Sequence, residues 1–289
     1  MSTVQSALAG ALLGGLYALM AAGVSVIWGV LRIINLAHFG MILVSAYFTF
    51  QLASAWNMDP ILTLAVTAPG MAALGGALQW GYERLGITEL NSLLVSFGLL
   101  IITVQVVSNV WSADFQRMSS TVNPYATASV SVGRLVFPVT TLFAFLIAVT
   151  LIAGAHLALQ RTFVGRAMRA SAQDRTIAAA YGINHRTMGI LLGAVSGATA
   201  AVAGMLFALA NALTPATAFE WFGTVFAVVI LGGIGHLIGT LVAGLVVGAL
   251  SGVVSLLLSP AAAPFVLFSV IVVTLLLRPH GLFARKAFR

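Results

Sequence analysis

Long uncharged apolar stretches alternate along this chain with short polar breaks, at lengths suited to helices that cross a lipid bilayer. Ser6 to Leu31 predicts the first crossing, rich in small residues, and Arg32-Ile-Ile-Asn-Leu-Ala-His-Phe-Gly40 breaks it. A second crossing runs to about Trp56 and a turn at Asn57 to Pro60. The third covers Ile61 to Trp80 and ends in GYERLGITELN, and the fourth covers Ser92 to Trp111. A loop rich in Ser, Thr and Asn follows (112–134), and its alternating tail, Ala128 to Gly133, predicts a short β-hairpin arm. The fifth crossing is Leu135 to Gln160 and the sixth Thr187 to Leu213. Trp221 to Leu277 then holds 57 residues without Asp, Glu, Lys or Arg. That length allows three crossings of about 17–20 residues, with breaks at Gly232–His236 and Ser259–Pro260. The second of the three should be short and the first shorter still, which leaves a re-entrant half-helix open there.

Composition agrees. The chain is 61% hydrophobic and 7% charged, with 29 glycines, and its mean hydropathy is +1.09. The fold class expected is therefore an all-α polytopic membrane bundle of about eight to nine segments, some broken or re-entrant. Residues 1–289 form one transmembrane domain in this reading. Gly189, Gly193 and Gly197 recur every fourth residue, as do Gly244, Gly248 and Gly252, each row making a smooth face for close helix packing.

One stretch must face water. Arg161 to Arg186 carries five of the thirteen basic residues between long apolar flanks. Asp174 is placed to cap a short helix by accepting from the N–H of Thr176 or Ile177. Arg175 to Tyr181 is alanine-rich, and Gly182 offers a left-handed stop. With this stretch in the cytoplasm, eleven basic residues fall inside and two, Arg117 and Arg134, outside, where 112–134 becomes a periplasmic loop. That bias puts the N-terminus outside and the C-terminus inside.

Candidate chemistry is sparse. There is no cysteine, so no disulfide or thiolate metal site, and the opening MSTVQSALAG lacks the basic region of a cleaved signal. The scattered basic residues do not form a nucleic-acid footprint. The only lysine is Lys286, followed by alanine, so no P-loop is present. All six acids lie at or beyond predicted span ends, which argues against a self-contained proton-driven carrier. The five histidines have no metal-ligand spacing, and neither catalytic nor cofactor-binding residues emerge. His185 and His280 read as solvated loop residues, His156 and Gln105 as interhelical or interfacial groups. Asn35 and His38 differ, because they sit with Phe39 and Gly40 in a break between apolar spans. Irregular backbone at membrane depth is tolerated only where protein buries it or it lines a cavity. A pathway or gate role stands there beside simple helix capping, and the same two readings apply to Gly235 and His236.

Four motifs occur in order: RIINLAHFGMILVSAY, VGRAMRASAQDRTIAAAYGI, VILGGIGHLIGTLVAGLVVG and LLLRPHGLF. With them the chain resembles permease subunits of the branched-chain amino-acid importers of the ATP-binding-cassette class, over nearly its whole length. The resemblance implies a bacterial inner-membrane location, a second related permease chain, two ATP-binding subunits that carry the ATP, and a periplasmic substrate-binding protein. It also implies that Asp174 to Ile183 is the coupling helix that docks on an ATP-binding subunit. Ile177 and Tyr181 share one face as the apolar contact, flanked by Ala178 and stopped at Gly182 and Ile183, and Arg169 and Arg175 are set to pair with acids of that subunit. Three residues depart from the family's usual pattern. Phe39 stands where a glycine is usual, Thr176 where a glutamate is common, and Ile238 where a proline is common. The resemblance leaves the solute open among branched-chain amino acids, urea, short amides and other small molecules. An ATPase-independent channel or facilitator is the alternative class, and an intramembrane enzyme lacks a catalytic set.

Overall fold

Each uncharged stretch becomes helix, and each polar or glycine-containing break interrupts one. A computed structural model describes residues 2–133 and 135–277. Arg134 and the closing RPHGLFARKAFR, with Arg278 and His280, lie outside the described residues. The helices in order are α1 (Ser2–Leu31), α2 (Ala37–Trp56), α3 (Leu64–Arg84) and α4 (Glu89–Trp111). After a two-stranded hairpin come α5 (Val139–Arg161), α6 (Phe163–Gln173), α7 (Arg175–Ala180) and α8 (His185–Ala210). Last are α9 (Thr217–Gly232), α10 (Leu237–Leu257) and α11 (Ala262–Leu277).

Six of these, α1, α2, α4, α5, α8 and α10, are long and apolar enough to cross a membrane. Counting α3 and the two shorter apolar helices as crossings gives nine among the described residues. This is the all-α polytopic bundle expected. α9 and α11 have 16 residues each, about 24 Å of helix against a hydrocarbon core of about 30 Å. α10 has 21, so the expectation of a short middle crossing in this region is wrong. The break before it uses only four residues and leaves α10 its full length.

Two further boundaries shift. Leu135 to Pro138 is not the start of the fifth crossing. It forms β2, which pairs antiparallel with β1 (Ser129–Val132), Val130 opposite Phe137, and Pro138 with its extended backbone is the N-cap of α5. The sixth crossing ends at Ala210 rather than Leu213, because Leu213 bridges Gln116 through two backbone hydrogen bonds of 2.9 and 2.7 Å. The polar loop is thereby tied down. Asn123 donates to the Leu209 carbonyl at 3.0 Å, and Tyr125 donates to Asp59 at 3.1 Å.

Glycine seams hold the bundle together. α1 packs most extensively on α10 and α3 on α8. Gly10 faces Gly248 and Gly14 faces Gly244 so closely that neither position has room for a Cβ, and Gly75 meets Gly193 in the same way. Exchanging α1–α4 for α8–α11 preserves the main contacts. α1 on α10 becomes α8 on α3, α2 on α4 becomes α9 on α11, and α2 on α8 becomes α9 on α1. In a nine-segment path α1 and α8 run in opposite directions, so the pattern is that of an inverted internal repeat. α2 lies at the centre, with Phe39, Ile42, Leu43 and Tyr47 fully buried. α4 and α5 are mostly exposed.

Candidate coupling element and membrane breaks

The stretch expected to couple the chain to an ATP-binding subunit forms two helices, α6 and α7. α6 begins at Thr162, whose hydroxyl accepts from the Gly165 N–H at 3.0 Å. It turns Gly165, Ala167, Met168 and Ser171 inward and Arg166 outward. Arg169 lies partly buried and donates to the Gln160 carbonyl at 3.2 Å. α7 then starts at Asp174, whose Oδ1 accepts from Thr176 and Ile177 at 2.8 and 3.0 Å. Its end is a Schellman closure. Gly182 stands at φ 81°, its N–H reaches the Ala179 carbonyl at 2.9 Å, and the Ile183 N–H reaches Ala178 at 3.1 Å. A six-residue helix is marginal alone, but here both ends are hydrogen-bonded.

The faces of α7 divide cleanly. Ala178 is buried, while Ile177 is 59% and Tyr181 85% exposed. Arg175 turns away from that outer face, and its Nη2 donates to the Leu31 carbonyl at 2.6 Å. It therefore joins α7 to the end of α1. After α7, Asn184 caps α8 by accepting from Thr187 at 3.2 Å. His185 is not a solvated loop residue. It opens α8 half-buried, with both ring nitrogens buried and unpartnered.

The first break starts at Arg32, in the left-handed region at φ 58°, and runs through Ile33, Asn35 and Leu36, all buried. Helix ends leave carbonyls without helical partners, and side chains supply two of them: Arg175 at Leu31, and the Ser96 hydroxyl at Ile34 at 3.2 Å. α2 then begins deep against α1. The His38 ring is fully buried, with Nε2 3.1 Å from the Met20 carbonyl and Nδ1 2.9 Å from Ser196 Oγ. A carbonyl only accepts, so Nε2 carries the proton and Nδ1 accepts from the serine hydroxyl. One ring thus joins α1, α2 and α8. Asn35 is 3% exposed and its Oδ1 has no partner. Phe39 is fully buried, with Phe222 edge-on at 5.8 Å and Phe226 at 6.5 Å between ring centroids. Gly40 abuts Thr103 of α4.

The second break turns on Gly233 and Gly235, at φ 83° and 79°. The Gly235 N–H donates to Ser25 Oγ at 3.0 Å, and its Cα lies on Gly29 of α1. His236 caps α10, with Nδ1 accepting from the Gly239 N–H at 2.9 Å. Ser25 lies five residues beyond Met20, about 7.5 Å further along α1. The two breaks therefore lean on the same helix at different depths. Sequence reasoning missed Ser25, Ser96, Ser196 and the two α9 phenylalanines. Ser25 and Ser196 were visible as hydroxyls within otherwise apolar spans, and Ser196 directly precedes Gly197 of the glycine row. Among the described residues, no three His, Cys, Asp or Glu side chains gather to hold a metal ion.

Comparison with known proteins finds relatives over nearly the whole chain. The family described as "Branched-chain amino acid transport system / permease component" matches residues 6–276. The high-affinity branched-chain amino acid transport system permease protein LivH of Escherichia coli strain K12 is 27% identical, over 98% of this chain and 96% of its own length. The corresponding BraD protein of Pseudomonas aeruginosa is 26% identical over the same shares. The probable branched-chain amino acid transport permease protein LivH of Methanocaldococcus jannaschii is 25% identical over 77% of this chain and 71% of its own length. No solved structure matches the chain significantly.

Proposed function

This chain belongs to the family of branched-chain amino acid transport system permease components, and we propose that it forms half of the translocation pathway of an ATP-driven importer. Its partners in this reading are a second permease chain, two ATP-binding subunits that carry the nucleotide, and a periplasmic binding protein. The solute is a branched-chain or other hydrophobic amino acid, or a related small polar molecule. The relatives' names support the solute class, and their match over nearly the whole chain supports reading it as one permease domain. The positive-inside count supports a C-terminus in the cytoplasm of a bacterial inner membrane.

The observation that carries the reading is α7. Closure of ATP-binding subunits moves a permease only through a rigid contact, and a helix hydrogen-bonded at both ends with Ile177 and Tyr181 outward is such a contact. Pathway and gate roles go to Asn35, His38, Phe39 and Gly40 at the first break and to Gly235 and His236 at the second, since interrupted helices at membrane depth are where solute sites form. The test is reconstitution in proteoliposomes with the second permease chain, the ATP-binding subunits and the binding protein of this proposed assembly. Labelled leucine should enter only with ATP present. Equal uptake by the chain alone would make it a facilitator.

A further inference from the structure

A polar cleft of about 300 Å³ lies behind the coupling helix, lined by Arg32, Glu89, Ser171, Gln173 and Arg175. It is formed where the end of α1, the start of α4 and the α6–α7 junction meet. Two guanidiniums stand in it with one carboxylate. Arg175 uses one of its N–H donors on the Leu31 carbonyl and has four more. α4 begins there with no side chain capping its first turn, so its N–H groups add positive potential. The independent observation is Ser171. It is 2% exposed, its hydroxyl is buried, and that hydroxyl has no hydrogen-bond partner. A buried unpartnered hydroxyl is costly enough to call for an explanation.

We propose that this cleft binds a free α-amino acid. The charges choose the ligand class. A simple anion would meet Glu89, and a simple cation would meet two arginines. A molecule carrying both charges a few bonds apart satisfies all three, its carboxylate held by Arg32 and Arg175 and its ammonium by Glu89. Ser171 Oγ is closed off from the cleft in this rotamer, and a turn of its side chain about χ1 would let the same carboxylate accept from it. That the cleft opens to the cytoplasm rests on the importer reading, and the binding chemistry does not. The consequence is a site that reads the amino acid on the delivery side, next to the Arg175 bond that joins α7 to the first break.

The test is calorimetric titration of the full chain in detergent with L-leucine, with leucinamide (no carboxylate), with 4-methylpentanoate (no ammonium), and with inorganic phosphate. L-Leucine should bind, and the two truncated ligands should bind at least about tenfold more weakly. Arg32→Gln should weaken L-leucine about ten- to a hundredfold and leave leucinamide unchanged. Glu89→Gln should weaken L-leucine similarly while 4-methylpentanoate binds as well or better. Glu89 is exposed at a helix start, so that variant keeps the wild-type unfolding temperature even if Arg32→Gln does not. No binding of L-leucine, binding unaffected by both substitutions, or phosphate competing as well as L-leucine overturns the proposal. Wild-type proteoliposomes that fail at ATP-driven uptake count against the importer reading alone, because the titration needs no ATP-binding subunit.

Discussion

His38 is a buried imidazole satisfied on both nitrogens, by groups on two other helices. Ser196→Ala leaves Nδ1 unpartnered inside apolar packing, a loss of roughly 1–3 kcal/mol, read as a lower unfolding temperature in detergent. Gly23→Ala should cost at least as much, since a Cβ there meets the His38 ring and Thr199 at once. Gly98→Ala is the control. It has nothing within 4 Å, and removing a mid-helix glycine gains roughly 0.5–1 kcal/mol. Equal stability for Gly23→Ala and Gly98→Ala would show that the ring is not held as described. His38 was legible in the sequence as a polar group in an apolar break. Its partners were not, because Met20 and Ser196 lie 18 and 158 residues away and helical periodicity names a face, never the facing residue. Phe39 is similar. Its departure from the family's glycine could be read directly, but its burial against Phe222 and Phe226 depends on how α9 folds back onto α2.

At the scale of elements, α7 was the most legible part of the chain, because capping is local: Asp174 and Gly182 act within three residues of the bonds they make. α6 was missed. Its inward positions, Gly165, Met168 and Ser171, have helical spacing, but its arginines drew attention to water rather than to periodicity. The two faces of α7 give separable predictions. Ile177→Ala with Tyr181→Ala removes the exposed apolar face and leaves Ala178 in place, so the chain should insert and unfold normally while losing uptake and co-purification of the ATP-binding subunits. Normal uptake in that double variant would move the contact elsewhere. Arg175→Gln acts on the inner face. It removes the bond to the Leu31 carbonyl, so the ATP-binding subunits should still co-purify while uptake per ATP hydrolysed falls. Loss of co-purification would instead make Arg175 part of the docking surface. Gly182→Ala should weaken both readouts, since a side chain at φ 81° costs roughly 1–2 kcal/mol.

The whole molecule is organised by two seams that the inverted repeat relates, α1 with α10 and α3 with α8. Two of the four faces, on α8 and α10, were readable as glycines four apart. The face on α3 was not, because Gly75, which meets Gly193 and Gly197 of α8, is flanked at that spacing along its own helix by Met71 and Gln79 rather than by further glycines. If the halves are equivalent, Gly193→Val and Gly248→Val should each prevent a folded chain from being recovered in detergent, since each Cβ meets backbone across its seam. Orientation is the remaining property of the whole, and it rests on charge. Putting the α6–α7 stretch inside places eleven of thirteen basic residues there, and the opposite orientation would carry them across the membrane against the positive-inside bias. The chain has no cysteine, so one introduced thiol reports one position without background. Ser129, exposed on the hairpin, and Thr176, exposed on α7, lie on opposite sides of the proposed membrane. Neither contributes a side-chain hydrogen bond to α7, whose cap at Thr176 is made by the backbone N–H. In spheroplasts, a membrane-impermeant maleimide should label Ser129→Cys at once and label Thr176→Cys only after the membrane is opened. Labelling of Thr176→Cys in sealed spheroplasts would invert the molecule and remove α7 from the reach of any cytoplasmic ATPase.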